Sequence, residues 1–275
     1  MIDPHLEAEY NNRTRIPAFA DIVARWAATS ARERASARAE LDQPYGAGAR
    51  QRFDLFLPAP GAADGPVLLY IHGGYWQLGS GPDTAFVARA FTDAGLTVAI
   101  PSYSLCPAVR VHDIIAELRQ CAIAVWRRTG KHPVVAGHSA GGHLAAALLA
   151  TRWPADVPAD LVRGACAISG VFDLAPLIPT SMNAALRLDA DEARAVSPRF
   201  GPPPPAGRVL IAAVGAEETE AFHHQSRALC EAWSRAGVET AYVKIAGTHH
   251  FDVVDELTRP ASPLWARVVS LARRW

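Results

Sequence analysis

From residue 50 onward, short apolar runs alternate with longer stretches in which apolar positions recur at helical spacing. Runs of about four to eight β-branched or aliphatic residues fit buried strands, and apolar positions every three to four residues fit helices. On these criteria strands lie near Arg52 to Leu57, Val67 to Ile71, Thr97 to Ile100, Val134 to Gly137, Ala165 to Ser169, Val209 to Val214 and Thr240 to Ile245. Helical patterns lie near Asp83 to Ala94, His112 to Arg128, Gly142 to Ala150, His223 to Ala236 and Leu264 to Arg274. This alternation predicts an α/β fold, a mostly parallel, doubly wound sheet with helices on both faces.

The chain of 275 residues reads as one domain. Gly61 to Pro66 fits a hairpin-like turn, and the proline run from Gly201 to Pro205 fits a stiff loop feeding the strand at Val209. The segments on both sides of that run belong to the same alternation, so it marks no boundary. Residues 1–50 read as a helical segment contributing to a cap. The stretch from Asp173 to Phe200, interrupted by Pro176, Pro179 and Pro198, is irregular and is expected to lie over the substrate site as a lid.

Composition narrows the function classes. Half the residues are hydrophobic, enough for a large core. Lysine plus arginine (27) balances aspartate plus glutamate (27), which removes the electrostatic argument for nucleic acid or an anionic membrane as partner. Arg32, Arg34 and Arg38, interleaved with Glu33 and Glu40, read as one solvated helix face. The N-terminal residues show no secretory pattern, and no stretch has the ~18 to 20 apolar residues of a membrane span. Cys106, Cys121, Cys166 and Cys230 have neither the Cys-x-x-Cys spacing nor histidine partners of a zinc site. Free buried thiols in a cytoplasmic protein are expected, with a small molecule as partner and a homo-oligomer compatible with the composition.

The chemistry concentrates at Gly137-His138-Ser139-Ala140-Gly141, which joins an apolar run to the alanine- and leucine-rich stretch from Leu144 to Ala150. Strand, sharp turn and helix around Gly-x-Ser-x-Gly form the context of the nucleophile elbow of α/β-hydrolases, in which a strained serine is lifted clear of the sheet. Gly137 and Gly141 are then required sterically, since a Cβ at either would crowd the crossing of strand and helix. Ser139 needs a base and an acid to orient that base, and in this fold they follow it in the order acid, then histidine. His249 and His250, after the last strand, are placed to supply the base, and the turn into Phe251-Asp252-Val253 favours His250. Glu217, Glu218 and Glu220 follow the strand Val209 to Val214 and compete for the acid, with Asp173 as a further candidate better suited to capping a helix at Leu174. His72-Gly73-Gly74-Tyr75-Trp76, directly after another strand, is expected to present the N–H groups of Gly73 and Gly74, together with that of Ala140, to an oxyanion.

These motifs resemble those of the kynurenine formamidase (arylformamidase) branch of the esterase/lipase-type α/β-hydrolases. Phe222-His223-His224-Gln225-Ser226 is similar to the family segment whose phenylalanine stands four residues past the acid, which singles out Glu218. His250-Phe251-Asp252-Val253-Val254-Asp255-Glu256-Leu257 resembles the family block that opens with the catalytic histidine. Tyr10-Asn11-Asn12-Arg13 and Tyr103-Ser104-Leu105-Cys106-Pro107 also look like segments of bacterial members. The departure is glutamate at 218, where members carry aspartate.

The resemblance implies hydrolysis of N-formyl-L-kynurenine to formate and L-kynurenine, a step of tryptophan catabolism, with Ser139, His250 and Glu218 as the triad and no metal or organic cofactor. Tyr75 and Trp76, next to the oxyanion glycines, are candidate walls for the aromatic substrate. A formyl group also implies a constricted acyl pocket. The rival readings are a general carboxylesterase for small aryl or alkyl esters and a non-catalytic ligand-binding protein on the same fold.

Overall fold

The computed structural model describes residues 1–60 and 65–275, so most of the turn expected at Gly61 to Pro66 lies outside the described residues. One eight-stranded sheet runs through the molecule. Its strands are β1 (Ala39–Pro44), β2 (Arg52–Phe56), β3 (Val67–Ile71), β4 (Thr97–Pro101), β5 (Pro133–His138), β6 (Gly164–Ile168), β7 (Val209–Gly215) and β8 (Glu239–Ile245). They lie in the order β1-β2-β4-β3-β5-β6-β7-β8, antiparallel at the β1–β2 and β2–β4 pairs and parallel from β4 onward.

The helices are α1 (Pro4–Tyr10), α2 (Asn12–Arg15), α3 (Phe19–Ser36), α4 (Ala88–Asp93), α5 (Val111–Thr129), α6 (Ala140–Leu149), α7 (Asn183–Leu186), α8 (Ala190–Ala195), α9 (Glu220–Ser234) and α10 (Pro263–Ala272). The continuous apolar runs of the central strands follow from burial on both faces. In β3, Leu69 and Ile71 join one core with Leu118 of α5, Leu144 of α6 and Trp233 of α9. The intervening Leu68 and Tyr70 join another with Phe91 of α4 and Val268 of α10. Side chains alternate across a strand, so five consecutive apolar residues feed two cores.

Two expectations are corrected. Arg32, Arg34 and Arg38 do not share one solvated helix face with Glu33 and Glu40, because α3 ends at Ser36 and the chain turns into β1. This strand is polar and partly exposed, so no apolar pattern announces it. A register irregularity between Glu40 and Gln43, with Asp42 at φ 56°, bends this edge strand. Arg34 turns inward to Asp54, which is 2% exposed, at 2.6 Å. The second correction concerns the stretch from Asp173 to Phe200, which folds into short helical turns that line no part of the cavity beside Ser139. It is tied down elsewhere: Gln77 Nε2 donates to Met182 O at 2.9 Å, and the Ser181 N–H and hydroxyl donate to Glu7 at 2.8 and 2.6 Å. The cover over the site comes from α3, whose Phe19, Val23, Trp26 and Ala27 face the cavity.

Among the described residues, no helix is long and apolar enough to cross a membrane. All four cysteines are buried and unpaired.

Candidate active site

Ser139 stands between β5 and α6 with φ 56° and ψ −119°, backbone angles that a non-glycine residue adopts only under constraint. The constraint comes from its neighbours. A Cβ on Gly137 would lie 2.2 Å from Gly141 O, and one on Gly141 would lie 2.1 Å from Ile71 O, so strand and helix cross at a distance only glycine permits. The Ser139 N–H donates to Ile168 O at 2.8 Å and fixes the turn against β6.

His250 Nε2 lies 3.1 Å from Ser139 Oγ, and His250 Nδ1 lies 2.6 Å from Glu218 Oε2. The three side chains therefore form one hydrogen-bonded chain, as expected for Glu218 and His250 over their competitors. Glu217 is exposed. Glu220 pairs with Arg227 at the surface, which holds its carboxyl below the usual range. Asp173 accepts the Ala175 N–H at 3.1 Å, a local cap. His249 remains partly exposed, its Nδ1 accepting the Phe251 N–H at 3.1 Å.

Glu218 Oε1 accepts two further hydrogen bonds, from the Ser169 hydroxyl at 2.5 Å and the Gly215 N–H at 2.7 Å. With its side chain fully buried, the carboxylate has three donors around it, as a buried charge requires. His250 is 1% exposed and packed between the rings of Phe222 (4.6 Å) and Phe251 (5.3 Å). His138 Nε2–H donates to the His250 carbonyl at 2.6 Å. Burial and the neighbouring His250 push the His138 pKa well down, so His138 braces His250 as a neutral ring.

Gly73 passes close to the nucleophile, since a Cβ there would lie 2.9 Å from His138 O and 3.1 Å from Ser139 Cβ. Gly74 has φ 112° and packs against the Leu78 carbonyl, where any side chain would collide. Among the described residues, the N–H groups of Gly73, Gly74 and Ala140 have no acceptor. Donors left open beside a nucleophile can receive a developing oxyanion. Tyr103 secures this loop by stacking on His72 at 4.2 Å and donating its hydroxyl to His72 O at 2.9 Å.

A cavity of about 370 Å³ opens beside Ser139 and His250, walled by Phe19, Trp26, Tyr70, Tyr75, Phe86 and Phe251. Residues 68–253 match the α/β-hydrolase fold family. The kynurenine formamidase of Danio rerio is 30% identical over 234 residues, covering 82% of this chain and 79% of that one. The chain belongs to the kynurenine formamidase family of α/β-hydrolases. The enzyme of the same name from Drosophila melanogaster is 28% identical to this formamidase-family chain, covering 77% of it and 74% of the fly protein. Among solved structures, a candidate thioesterase from Silicibacter sp. superposes with a TM-score of 0.84 at 36% identity, covering 97% of this chain and 98% of its own. A Pyrobaculum calidifontis esterase, 20% identical with a TM-score of 0.75 over 99% of both chains, shares the fold.

Of the two aromatic residues expected to wall the site of this formamidase-family protein, one does so. Tyr75 lines the cavity, whereas Trp76 is 1% exposed, does not line it and donates Nε1–H to His143 at 3.2 Å. Consecutive residues leaving a turn point apart, so a Gly-Gly-aromatic-aromatic motif delivers one ring to the ligand and one to the core. Sequence reasoning missed Ser169, His138 and the α3 wall. Ser169 carried a signal in its position at the end of the strand beside the elbow, and its φ of 52° aims it at the acid. Trp26 carried none, since what brings it to the site is a distant pairing with Asp255 at 2.7 Å.

Proposed function

We propose that this protein hydrolyses the N-formyl group of N-formyl-L-kynurenine. The observation that carries the reading is the hydrogen-bonded chain Ser139–His250–Glu218 opening onto an aromatic-walled cavity, in a member of the kynurenine formamidase family. Ser139 Oγ attacks the formyl carbon while its proton passes to His250 Nε2, and the imidazolium is held by Glu218. The carbonyl oxygen, now anionic, is received by the N–H groups of Gly73, Gly74 and Ala140. His250 returns the proton to the departing arylamine nitrogen as the C–N bond breaks, leaving formyl-Ser139. Water then adds to that ester with His250 again as base, and formate leaves as the proton returns to Ser139. The close approach of Gly73 to Ser139 suits an acyl group as small as formyl. Buried, unpaired cysteines agree with a cytoplasmic place of action.

The likeness to the Silicibacter candidate thioesterase favours a second reading, hydrolysis of small esters or thioesters by the same residues. The purified protein is given N-formyl-L-kynurenine, p-nitrophenyl acetate and S-phenyl thioacetate, and kcat/KM is compared. Formate release from the first with the highest kcat/KM is expected; ester or thioester cleavage with no formate release refutes the deformylase reading.

A further inference from the structure

Among the described residues lining the cavity, Arg13 is the only lysine or arginine and Asp83 the only carboxylate. Their situations differ. Asp83 is exposed and accepts the Ser80 hydroxyl at 2.5 Å. The Arg13 guanidinium has no carboxylate partner among the described residues, and its contact is with the Tyr75 ring, 5.1 Å from Cζ to the centroid. Nearby Glu7 feels its charge, but the Glu7 carboxylate is taken by Asn11 and by the Ser181 N–H and hydroxyl. A guanidinium without a counter-ion, set on an aromatic face in a mostly apolar cavity, is an anion site in search of an anion, and its planar fork matches a carboxylate.

The placement ties this cation to the acyl centre. The Asn12 N–H donates to the Tyr75 hydroxyl at 3.0 Å, fixing the start of α2 on that ring, and Tyr75 directly follows the Gly73-Gly74 turn that runs beside Ser139. Arg13 is thus joined through Tyr75 to the turn that runs beside Ser139. In N-formyl-L-kynurenine the formamide nitrogen and the carboxylate are separated by the benzene ring, a ketone carbonyl, a methylene and the α-carbon. A substrate ring lying along Tyr75 directs its carboxylate to the guanidinium. We infer that Arg13 binds the substrate carboxylate and makes this protein selective for aryl formamides bearing an amino-acid carboxylate over those that lack it, an inference that rests on the deformylation proposed above.

The test uses the full chain, its Arg13→Gln and Arg13→Lys variants, and two substrates, N-formyl-L-kynurenine and N-formylkynuramine, the counterpart without the carboxylate. The unaltered protein is expected to favour the carboxylate-bearing substrate by about tenfold to a hundredfold in kcat/KM, expressed in KM, as one charge-assisted pair supplies. Arg13→Gln collapses that ratio towards one, and Arg13→Lys keeps part of it. Equal turnover of the two substrates by the unaltered protein, or an unchanged ratio in Arg13→Gln, overturns the role of Arg13 alone. Formate release from neither substrate overturns the deformylase reading and this assignment together.

Discussion

Replacing Glu218 by glutamine removes one charge from a fully buried site and keeps the side-chain shape. The three hydrogen bonds at this carboxylate determine how the amide must sit. At Oε1 it meets the Ser169 hydroxyl and the Gly215 N–H, and at Oε2 it meets His250 Nδ1. If the amide nitrogen took the Oε1 place it would confront the Gly215 N–H, a donor that cannot reverse, and a buried donor left unmatched costs about 1 to 3 kcal/mol. The amide therefore turns its oxygen to Ser169 and Gly215 and its NH₂ to His250. Nδ1 must then accept, which puts the imidazole proton on Nε2, the nitrogen that has to take the proton of Ser139.

Glu218→Gln is therefore expected to lower kcat by roughly 10⁴, the loss found when a triad acid is replaced by its amide and the histidine is locked in the wrong tautomer. KM should stay within about threefold, because Glu218 does not line the cavity. The measurement is steady-state release of formate or arylamine at pH 7.5, with near-ultraviolet circular dichroism to show that the fold is retained. A folded variant keeping more than about a tenth of the original kcat would falsify the role assigned to Glu218.

Other consequences can be checked separately. His143 is buried, with its pKa lowered to about 4 by desolvation from an ordinary 6.5. Between those values the unfolded chain binds a proton that the folded chain refuses, so stability falls as pH drops from 6.5 towards 4 and levels off below; His143→Gln should remove about 1.4 kcal/mol per pH unit from that slope, read by urea unfolding at several pH values. An unchanged slope would show that His143 takes up no proton on unfolding. Gly141→Ala places a Cβ 2.1 Å from Ile71 O and is expected to cost more than about 3 kcal/mol; an unaltered Tm would mean that the elbow can open at little cost. Asp255 holds α3 over the cavity through Trp26 Nε1 and both terminal nitrogens of Arg25. Asp255→Ala should raise KM about three- to tenfold with a smaller change in kcat, and an unchanged KM would remove α3 from the substrate wall.

What the sequence discloses is set by the range over which each feature is encoded. The central strands are legible because strands buried on both faces must be apolar throughout, whereas β8, a partly exposed edge strand, is legible by its run of β-branched and aromatic residues. Ser139 is legible because its elbow needs two glycines at fixed spacing, and His250 because it follows the last strand. Glu218 is different: three glutamates occupy one loop, and spacing alone left Glu217 and Glu220 in contention. Beyond the family resemblance its donors separate it, and two of the three, Ser169 just after β6 and His250 in the loop after β8, are far away in sequence. The same reason hides β1, a polar edge strand made by pairing, and α3 as a cavity wall, placed by Asp255. The stretch from Asp173 to Phe200 misled because irregularity shows that a segment is not a core element, not where it packs.

The order of the strands explains why the catalytic groups are so tightly coupled. β5, β6, β7 and β8 are consecutive neighbours, all parallel, and their carboxyl-terminal ends supply Ser139, Ser169, Glu218 and His250 in that order. Glu218 accepts from the groups after β6 and β8 on either side and from its own strand end at Gly215, so one carboxylate ties three strand ends together. The long reach of glutamate fits this role, because the carboxyl must extend past its own strand to meet both neighbours. All four groups therefore stand at strand ends, three of them tied by one charge, whereas part of the aromatic wall, Phe19 and Trp26, comes from α3, attached from outside the sheet. Formamidases, an esterase and a candidate thioesterase align with or superpose on this one chain, so the shared sheet does not by itself decide the acyl donor, and the choice falls to the walls of the cavity.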